Sequence, residues 1–461
     1  MSVSITFCGA AGCVTGSRYL VQSEQSNILI DCGLFQGEDA KRWNDLYSLP
    51  IALEEIDAVL LTHAHIDHIG LLPKYFIDGL GCPIWSTDGT RELMQILLNN
   101  SIRLQLKLGH LVLPDLDPDV DYGEVAAVLS GRLFSQTQTA PWNQRVEVAK
   151  NVWASWTPAG HLLGAAAITL EIEDQRITFS GDIGRYGLPV HPDPLGIDFG
   201  DTLIIESTYG AVRHPEEALG SQLAAAITTT AERNGVVVIP CFAAGKTQLL
   251  LRLLKTLEQE RRIPELPIFV DSPVAIEATA AYLNHIDDCR DDIQAEFQRG
   301  DDPFQTALGH MVRKRSEVSW IHSLRDPMIV ISASGFLEGG SILKHLRRRL
   351  AFANNTTLLL GYQPVGGRGA ALLDGASELD LPGGSVKVAA ESIEVSGFSA
   401  HADQQELLRW CSASRTAPRQ VFVVHGESND SKVFAETLTG SFGWRSEHAQ
   451  HLQRAEVSRR C

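Results

Sequence analysis

The chain has 461 residues, of which 44% are hydrophobic and 21% charged, with a formal net charge of −17. That composition excludes a disordered chain, and the length exceeds one ordinary core, so roughly two domains are expected. Taken alone, the acidic balance (pI near 5.3) argues against broad electrostatic binding of nucleic acid, although a whole-chain sum says little about a local cleft lined by metal cations.

The N-terminal MSVSITFCGAAGCVTGS lacks a basic segment followed by an apolar core and reads as no signal peptide. It is read as the start of a run of short strands ending in glycine or polar residues. SITFCGAAG, YLVQS, NILIDCG and DAVLLTHAH come first, then NVWASWTPAGH, AAITLEI, RITFSGDIG and DTLIIESTYG. Strand after strand delivers Asp, His or Glu at its C-terminal end, as in layered α/β folds whose sheet-edge loops build the site. GAAGCVTGS does not make GxGxxG and reads as a turn between two strands, so no dinucleotide cofactor is expected. In the middle, EEALGSQLAAAITTTAERNG and GKTQLLLRLLKTLEQERR read as helices, each followed by a strand, VVVIP and PIFVDSP. DPMIVISASG and NNTTLLLGY continue a βαβ pattern, which implies a second domain with a parallel sheet. SGFSAHAD and QVFVVHGE then return to the style of the first half, as an inserted domain would require. The tail HAQHLQRAEVSRRC reads as a frayed end.

Apolar runs such as GVVVIP and TTLLLG are far too short to span a bilayer, so a cytoplasmic protein with no membrane partner is expected. The 8 cysteines are scattered without a CxxC pair, which argues against a cysteine zinc site and for reduced thiols.

The chemistry concentrates in LLTHAHIDHIG, where His63, His65, Asp67 and His68 follow an apolar strand. Borderline divalent metals such as zinc favour imidazole nitrogen, with carboxylate oxygen as the second choice. Such a density of donors sets a solvated His-rich loop aside as the weaker reading. PAGHLLGA adds His161 and FSGDIG adds Asp182. A closed structural site stops at four ligands, whereas a larger set points to two metals with open positions.

HxHxDH followed by GH.LG and SGD resembles the metallo-β-lactamase fold, an αββα sandwich. Further motifs resemble one branch, the β-CASP nucleases, which includes the endonuclease subunit of the eukaryotic pre-mRNA 3′-end processing machinery. They are ESTYG (Glu206–Gly210), PCFAAGKTQ (Pro240–Gln248), VDSPVAIEAT (Val270–Thr279), SASGFLEGG (Ser332–Gly340), GYQPVGGRG (Gly361–Gly369), SGFSAHAD (Ser396–Asp403) and VHGE (Val424–Glu427). The match runs over nearly the whole chain. It implies a metallo-β-lactamase αββα sandwich in two parts, residues 1–210 and 394–461, with an inserted α/β parallel-sheet β-CASP domain at 211–393.

The resemblance also implies roles. His63, His65 and His161 would hold one Zn2+; Asp67, His68 and His425 would hold the second; Asp182 would bridge them. Asp31 would orient the ligand loop without being a ligand, and Glu206, His401 and His425 fall on the family's later motifs. Two cations ~3.5–4 Å apart suit phosphodiester hydrolysis, because they offset the anion's charge and acidify a shared, bridging water. His401 would be the general acid, held by Glu206. The implied activity is a zinc-dependent endoribonuclease on single-stranded RNA, with its site in an interdomain cleft, leaving a 5′-phosphate and a 3′-hydroxyl. The alternatives are a 5′-exonuclease or DNA-directed nuclease of the same family, and a non-nuclease metallo-hydrolase. The expected partners are the RNA and, as a homodimer, a second copy of the chain.

GYQPVGGRG has two readings. Gly366, Gly367 and Arg368 cradle an RNA phosphate, or the stretch is a flexible glycine-rich loop. Here the sequence departs from the family, where an acidic residue, Gly and Thr usually follow the aromatic–Gln pair. KHLRRRL places Lys344, Arg347, Arg348 and Arg349 on a helix, by default a solvated face and otherwise part of an RNA path, as Arg313–Arg315 would be. CFAAGKTQ lacks Walker spacing, so no ATP site is expected.

Overall fold

The computed structural model describes residues 3–37, 44, 49–113, 116–117, 119–215 and 219–457. Their contacts divide into two compact units: Met1–Gly187, His191–Arg213 and His401–Cys461 form unit 1, and Leu188–Val190 with His214–Ala400 form unit 2.

Unit 1 opens with β1 (Ser4–Phe7), β2 (Tyr19–Gln22), β3 (Asn27–Ile30), β4 (Ala58–Leu60), β5 (Ile84–Ser86) and β6 (Thr137–Thr139). It continues with β7 (Val146–Ala149), β8 (Val152–Pro158), β9 (Ala166–Ile172), β10 (Gln175–Phe179) and β11 (Thr202–Glu206). Unit 2 holds β12 (Val236–Pro240), β13 (Ile268–Asp271), β14 (Gly309–Met311), β15 (Met328–Ser332), β16 (Thr356–Leu360), β17 (Glu378–Leu381), β18 (Gly384–Lys387) and β19 (Glu391–Val395). The chain returns to unit 1 with β20 (Gln420–Val424), β21 (Ser446–His448) and β22 (Arg454–Glu456). The domain join expected at 393/394 therefore lies inside β19.

Two seven-stranded sheets make the sandwich of unit 1, in the orders β22-β1-β2-β3-β4-β5-β6 and β21-β20-β11-β10-β9-β8-β7. Phe7, Ile30 and Leu60 of one sheet share a buried core with Trp156, Ile168, Phe179 and Phe422 of the other. β3 to β6 run parallel, and β3 and β4 read as short apolar runs because they are buried, whereas β6, Thr137–Thr139, is polar with Gln138 and Thr139 exposed. The helices Asp88–Leu108 and Tyr122–Gln136 pack together against β6, and the helix Ser428–Phe442 packs on β20 and β21. Thr87 caps the first of these through Thr90 N–H, and Gly109 ends it in the left-handed region.

The tail differs from the frayed end expected of it. Among its described residues, Arg454–Glu456 adds an antiparallel strand to β1, burying Ala455 and Val457. Residues 458–461 of that segment lie outside the described residues.

Unit 2 is a parallel six-stranded sheet in the order β14-β13-β15-β12-β16-β19, with a separate β17–β18 hairpin. Its helices include Leu219–Glu232 and Lys246–Gln259, both expected. Arg252 and Lys255 of the latter converge on the buried Glu296 carboxylate, Lys255 at 2.7 Å. Removing one partner of a buried network leaves the other charge uncompensated. Glu296→Ala is expected to cost about 3 kcal/mol, the low end for such a change, because Asp301 still reaches Lys255; urea unfolding of the full chain measures it.

Candidate metal centre

Unit 1 brings the sequence-selected donors to the C-terminal ends of its strands. Asp31 follows β3, His63 follows β4, His161 follows β8, Asp182 follows β10, Glu206 ends β11 and His425 follows β20. His65 stands at the N-terminus of the short helix Ile66–Ile69, which carries Asp67 and His68. That helix lies directly on the chain after β3: a Cβ at Gly33 would fall 1.7 Å from the Asp67 carbonyl oxygen, so only glycine fits there.

Two groups of donors hold the sequence-selected ligands, and a third set, Asp182, Glu206 and His425, converges as closely. His63, His65, His161 and Asp182 offer atoms that all lie within 4.8 Å of one another, and so do Asp67, His68 and His425. In the first group, His65 Nδ1 lies 3.1 Å from His63 Nε2 and 3.2 Å from His161 Nε2. In the second, His425 Nε2 lies 3.2 Å from His68 Nε2 and 3.4 Å from Asp67 Oδ2. Asp182 faces both: Oδ2 is 3.4 Å from His63 Nε2 and 3.6 Å from His161 Nε2, while Oδ1 is 3.4 Å from His68 Nε2 and 3.7 Å from His425 Nδ1.

The hydrogen bonds behind these atoms set which nitrogen turns inward. Thr62 N–H and hydroxyl donate to Asp31 Oδ1 and Oδ2, each at 2.8 Å. With its one proton engaged, the Thr62 oxygen accepts from His63 Nδ1 at 3.1 Å, leaving His63 Nε2 as a lone pair. Asp31 Oδ2 lies 2.7 Å from His68 Nδ1, which turns Nε2 inward toward Asp182 Oδ1; burial opposes a charged His68, but the Asp182 and Asp31 carboxylates hold its pKa well above the ordinary value. Thr208 repeats the device on the other sheet: its hydroxyl donates to the His425 carbonyl at 3.2 Å and accepts from His425 Nδ1 at 3.0 Å, freeing Nε2. Neither threonine was singled out from sequence, although each sits within two positions of a selected residue. Asp31 and His425 both hold positive φ, 58° and 47°, a strain tolerated where surrounding bonds fix it.

Burial drives the His63 and His161 imidazoles toward the neutral form and lowers His65 to about 4. Asp182 stays charged well below the usual carboxylate range: burial opposes this, but the surrounding histidines outweigh it. Among the described residues its buried Oδ1 has no hydrogen-bond donor, which would cost about 1–3 kcal/mol if nothing positive met it. Imidazole nitrogens converging on buried carboxylates are the donor chemistry of divalent cations. The residues fit such ions.

His401 and Glu206 lie beside this cluster. His401 Nδ1 is 3.2 Å from Glu206 Oε1 and 3.8 Å from Asp182 Oδ2. Glu206 Oε1 also accepts the Ile183 N–H at 2.7 Å and Oε2 the Thr208 N–H at 3.1 Å. Ala402 N–H bonds the Ile183 carbonyl at 2.8 Å, so one residue next to Asp182 fixes both partners of the pair. Burial opposes a charged His401, yet the Glu206 and Asp182 carboxylates hold its pKa above the ordinary value.

Arg368, Gly366 and Gly367 belong to unit 2. Arg368 donates through Nε to the Asp380 carbonyl at 2.8 Å and through Nη1 to the Leu337 carbonyl at 2.9 Å, so it staples loops together. In KHLRRRL, Arg347 and Arg349 are likewise bound to backbone carbonyls, while Lys344 and Arg348 are exposed.

Thr208→Val is expected to weaken metal binding roughly ten- to hundredfold, as loss of an outer hydrogen-bond partner does, with Thr208→Ser near wild type. Competition with a chromophoric chelator measures it.

Comparison with known proteins agrees over most of the chain. Residues 11–125 match the metallo-beta-lactamase superfamily, 247–372 the Beta-Casp domain and 385–449 the Zn-dependent metallo-hydrolase RNA specificity domain. The chain is 33% identical over 442 residues to "Ribonuclease TTHA0252" of Thermus thermophilus, covering 93% of this chain and 94% of that protein. It is 30% identical over 439 residues to "Transcription termination factor FttA" of Methanosarcina mazei, covering 92% of this chain and 67% of that one. It is 29% identical over 444 residues to an "RNase J-like protein" of Methanocaldococcus jannaschii, covering 95% of each. A crystal structure of a protein of unknown function from Enterococcus faecalis shares the fold, with a TM-score of 0.57 at 12% identity, covering 99% of this chain and 100% of that one. No helix among the described residues is long and apolar enough to cross a membrane. Donor cluster, fold and relatives converge: the chain belongs to the β-CASP branch of the metallo-β-lactamase superfamily and is a metal-dependent hydrolase of that nuclease family.

Proposed function

We propose that the chain is a cytoplasmic, zinc-dependent endoribonuclease that hydrolyses phosphodiester bonds of single-stranded RNA and leaves a 5′-phosphate and a 3′-hydroxyl. The observation that carries the reading is the His401–Glu206 pair standing beside an Asp182 whose two oxygens face separate nitrogen groups. His63, His65 and His161 would hold one Zn2+, and Asp67, His68 and His425 the other, with Asp182 common to both. Bound there, the two cations supply charge neutralisation for the phosphodiester and acidify a water.

The protein's own residues do the remaining work. Thr62, Asp31 and Thr208 hold the Nδ1 edges of His63, His68 and His425 and so turn each Nε2 inward. Glu206 faces His401 Nδ1 and favours a proton there, so Nε2 is the edge that donates when the bond from phosphorus to the 3′ oxygen breaks. The leaving 3′ oxygen of the upstream fragment takes that proton, and the downstream fragment keeps the phosphate on its 5′ oxygen. Homodimerisation belongs to the same reading and is checked by sedimentation velocity.

The test pairs metal analysis with cleavage of a circular, unstructured RNA, which has no end for an exonuclease. Linearisation at ~2 zinc ions per chain is expected. An untouched circle alongside a degraded linear RNA with a free 5′ end would replace the endonuclease by an exonuclease. Cleavage of single-stranded DNA alone would replace the substrate.

A further inference from the structure

The helix Gln404–Ser412 of unit 1 begins three residues after His401. Its inner side is enclosed: Leu407 and Trp410 are fully buried, and the Trp410 indole N–H donates to the Leu195 carbonyl at 2.9 Å. Whatever its first turn holds is therefore held on a rigid support. At that turn stands Glu406, half-buried, which belongs to none of the converging donor sets among the described residues.

The two Glu406 oxygens go to two different loops. Oε2 accepts the Asp403 N–H at 3.0 Å, two residues after His401. Oε1 accepts the Tyr186 N–H at 3.0 Å, four residues after Asp182. Oε2 also faces Arg185 Nε at 3.6 Å, and Arg409, on the next turn of the helix, lies over the Tyr186 ring at 3.7 Å. The Asp403 bond alone belongs to a capping box, in which the Asp403 carboxylate accepts the Glu406 N–H in return. The Tyr186 bond does not. It joins residues 220 positions apart, and capping the helix has no use for it.

The Asp182 and His401 loops are already joined once, by the Ala402 N–H on the Ile183 carbonyl. One such bond acts as a hinge: it fixes a distance and leaves rotation about itself. A second tie, from Tyr186 through Glu406 to Asp403, removes that rotation, and His401 is the residue next to the hinge. We propose that Glu406 is a positioning residue for the general acid, keeping the His401 imidazole in place beside Glu206 and Asp182 by locking the two loops together. The proposal rests on the endoribonuclease reading above, in which His401 gives its proton to the leaving 3′ oxygen. Asp182 has ties of its own, through the Ile183 N–H to Glu206 and the Gly184 N–H to the Ala159 carbonyl at 2.8 Å, so the metal centre does not depend on Glu406. Misplacing a catalytic group by about 1 Å costs up to roughly a hundredfold in rate.

The experiment compares two substrates on the full, metal-loaded chain. One is an unstructured RNA, whose 3′ oxygen needs a proton to leave. The other is bis(p-nitrophenyl) phosphate, whose phenolate leaves without one, so a general acid matters for the first and hardly for the second. In Glu406→Ala, kcat on RNA is expected to fall roughly ten- to hundredfold, with KM, zinc content and hydrolysis of the nitrophenyl ester near wild type. Glu406→Gln keeps the shape and one acceptor oxygen, hence one of the two ties, and is expected to fall between Glu406→Ala and wild type. Where circular dichroism finds Glu406→Ala unfolded at the assay temperature, Glu406→Gln carries the same comparison. Equal losses on both substrates, or lost zinc, would make Glu406 a support of the fold or of the metal centre, and wild-type kcat on RNA would make the second tie idle. Each of these overturns the positioning role and leaves the endoribonuclease reading standing. A wild-type chain that cleaves the nitrophenyl ester but no RNA overturns that reading, and the positioning role with it.

Discussion

Asp182→Ala is expected to empty the centre and abolish hydrolysis. Asp182 faces both nitrogen groups, and its two oxygens do so separately. Losing an outer-sphere partner costs roughly ten- to hundredfold in metal affinity, and loss of a carboxylate shared by two ions should exceed that. Zinc per chain after dialysis is the first readout, falling from ~2 toward zero. The fold should survive, because the core of the sandwich is apolar and lies between the sheets. Retained zinc at wild-type stoichiometry would remove Asp182 from the ligand set.

His401→Ala separates chemistry from metal binding. His401 touches Asp182 and Glu206 but lies outside both groups of converging donors. Zinc should stay while the cleavage rate falls roughly 10²–10⁴-fold, the usual contribution of a positioned acid. Glu206→Gln tests the pair from the other side. The Glu206 carboxylate raises the affinity of His401 for its proton. An amide favours the imidazolium less, so deprotonation comes at lower pH. Activity that needs the protonated form is then lost earlier as pH rises, and the basic limb of the rate profile moves down by about one unit or more. A limb that stays in place would mean that another group gives the proton.

Much of the centre was legible because its donors are crowded. His63, His65, Asp67 and His68 fall within one turn-and-helix after an apolar strand, and the structure brings His161, Asp182 and His425 to them. The alternation of helix and strand from Leu219 onward likewise announced the parallel sheet of unit 2. What stayed hidden depends on direction rather than residue type. Arg368 looks like a phosphate ligand in sequence, but its partners are carbonyls of Asp380 and Leu337, which no local pattern reveals. Thr62 and Thr208 look like ordinary strand-end residues until the destination of each hydroxyl proton is known. The closing strand Arg454–Glu456 is only 3 residues long, too short for a periodic signal, and its partner β1 lies at the other end of the chain.

The distance along the chain between facing ligands also orders events during synthesis. His68 and His425 meet at 3.2 Å although 357 positions separate them, and all of His214–Ala400 is made in between. At about 5–20 residues per second, the ribosome needs roughly twenty seconds to a minute to travel that far. Throughout that interval the early histidines have neither β20 nor His425 beside them, while unit 2, whose strands are nearly all continuous in the chain, has what it needs to collapse. Small zinc domains fold around their ion. Here the two donor groups differ: His63, His65, His161 and Asp182 are all made before His214–Ala400, whereas Asp67 and His68 wait for His425 until that segment has been made.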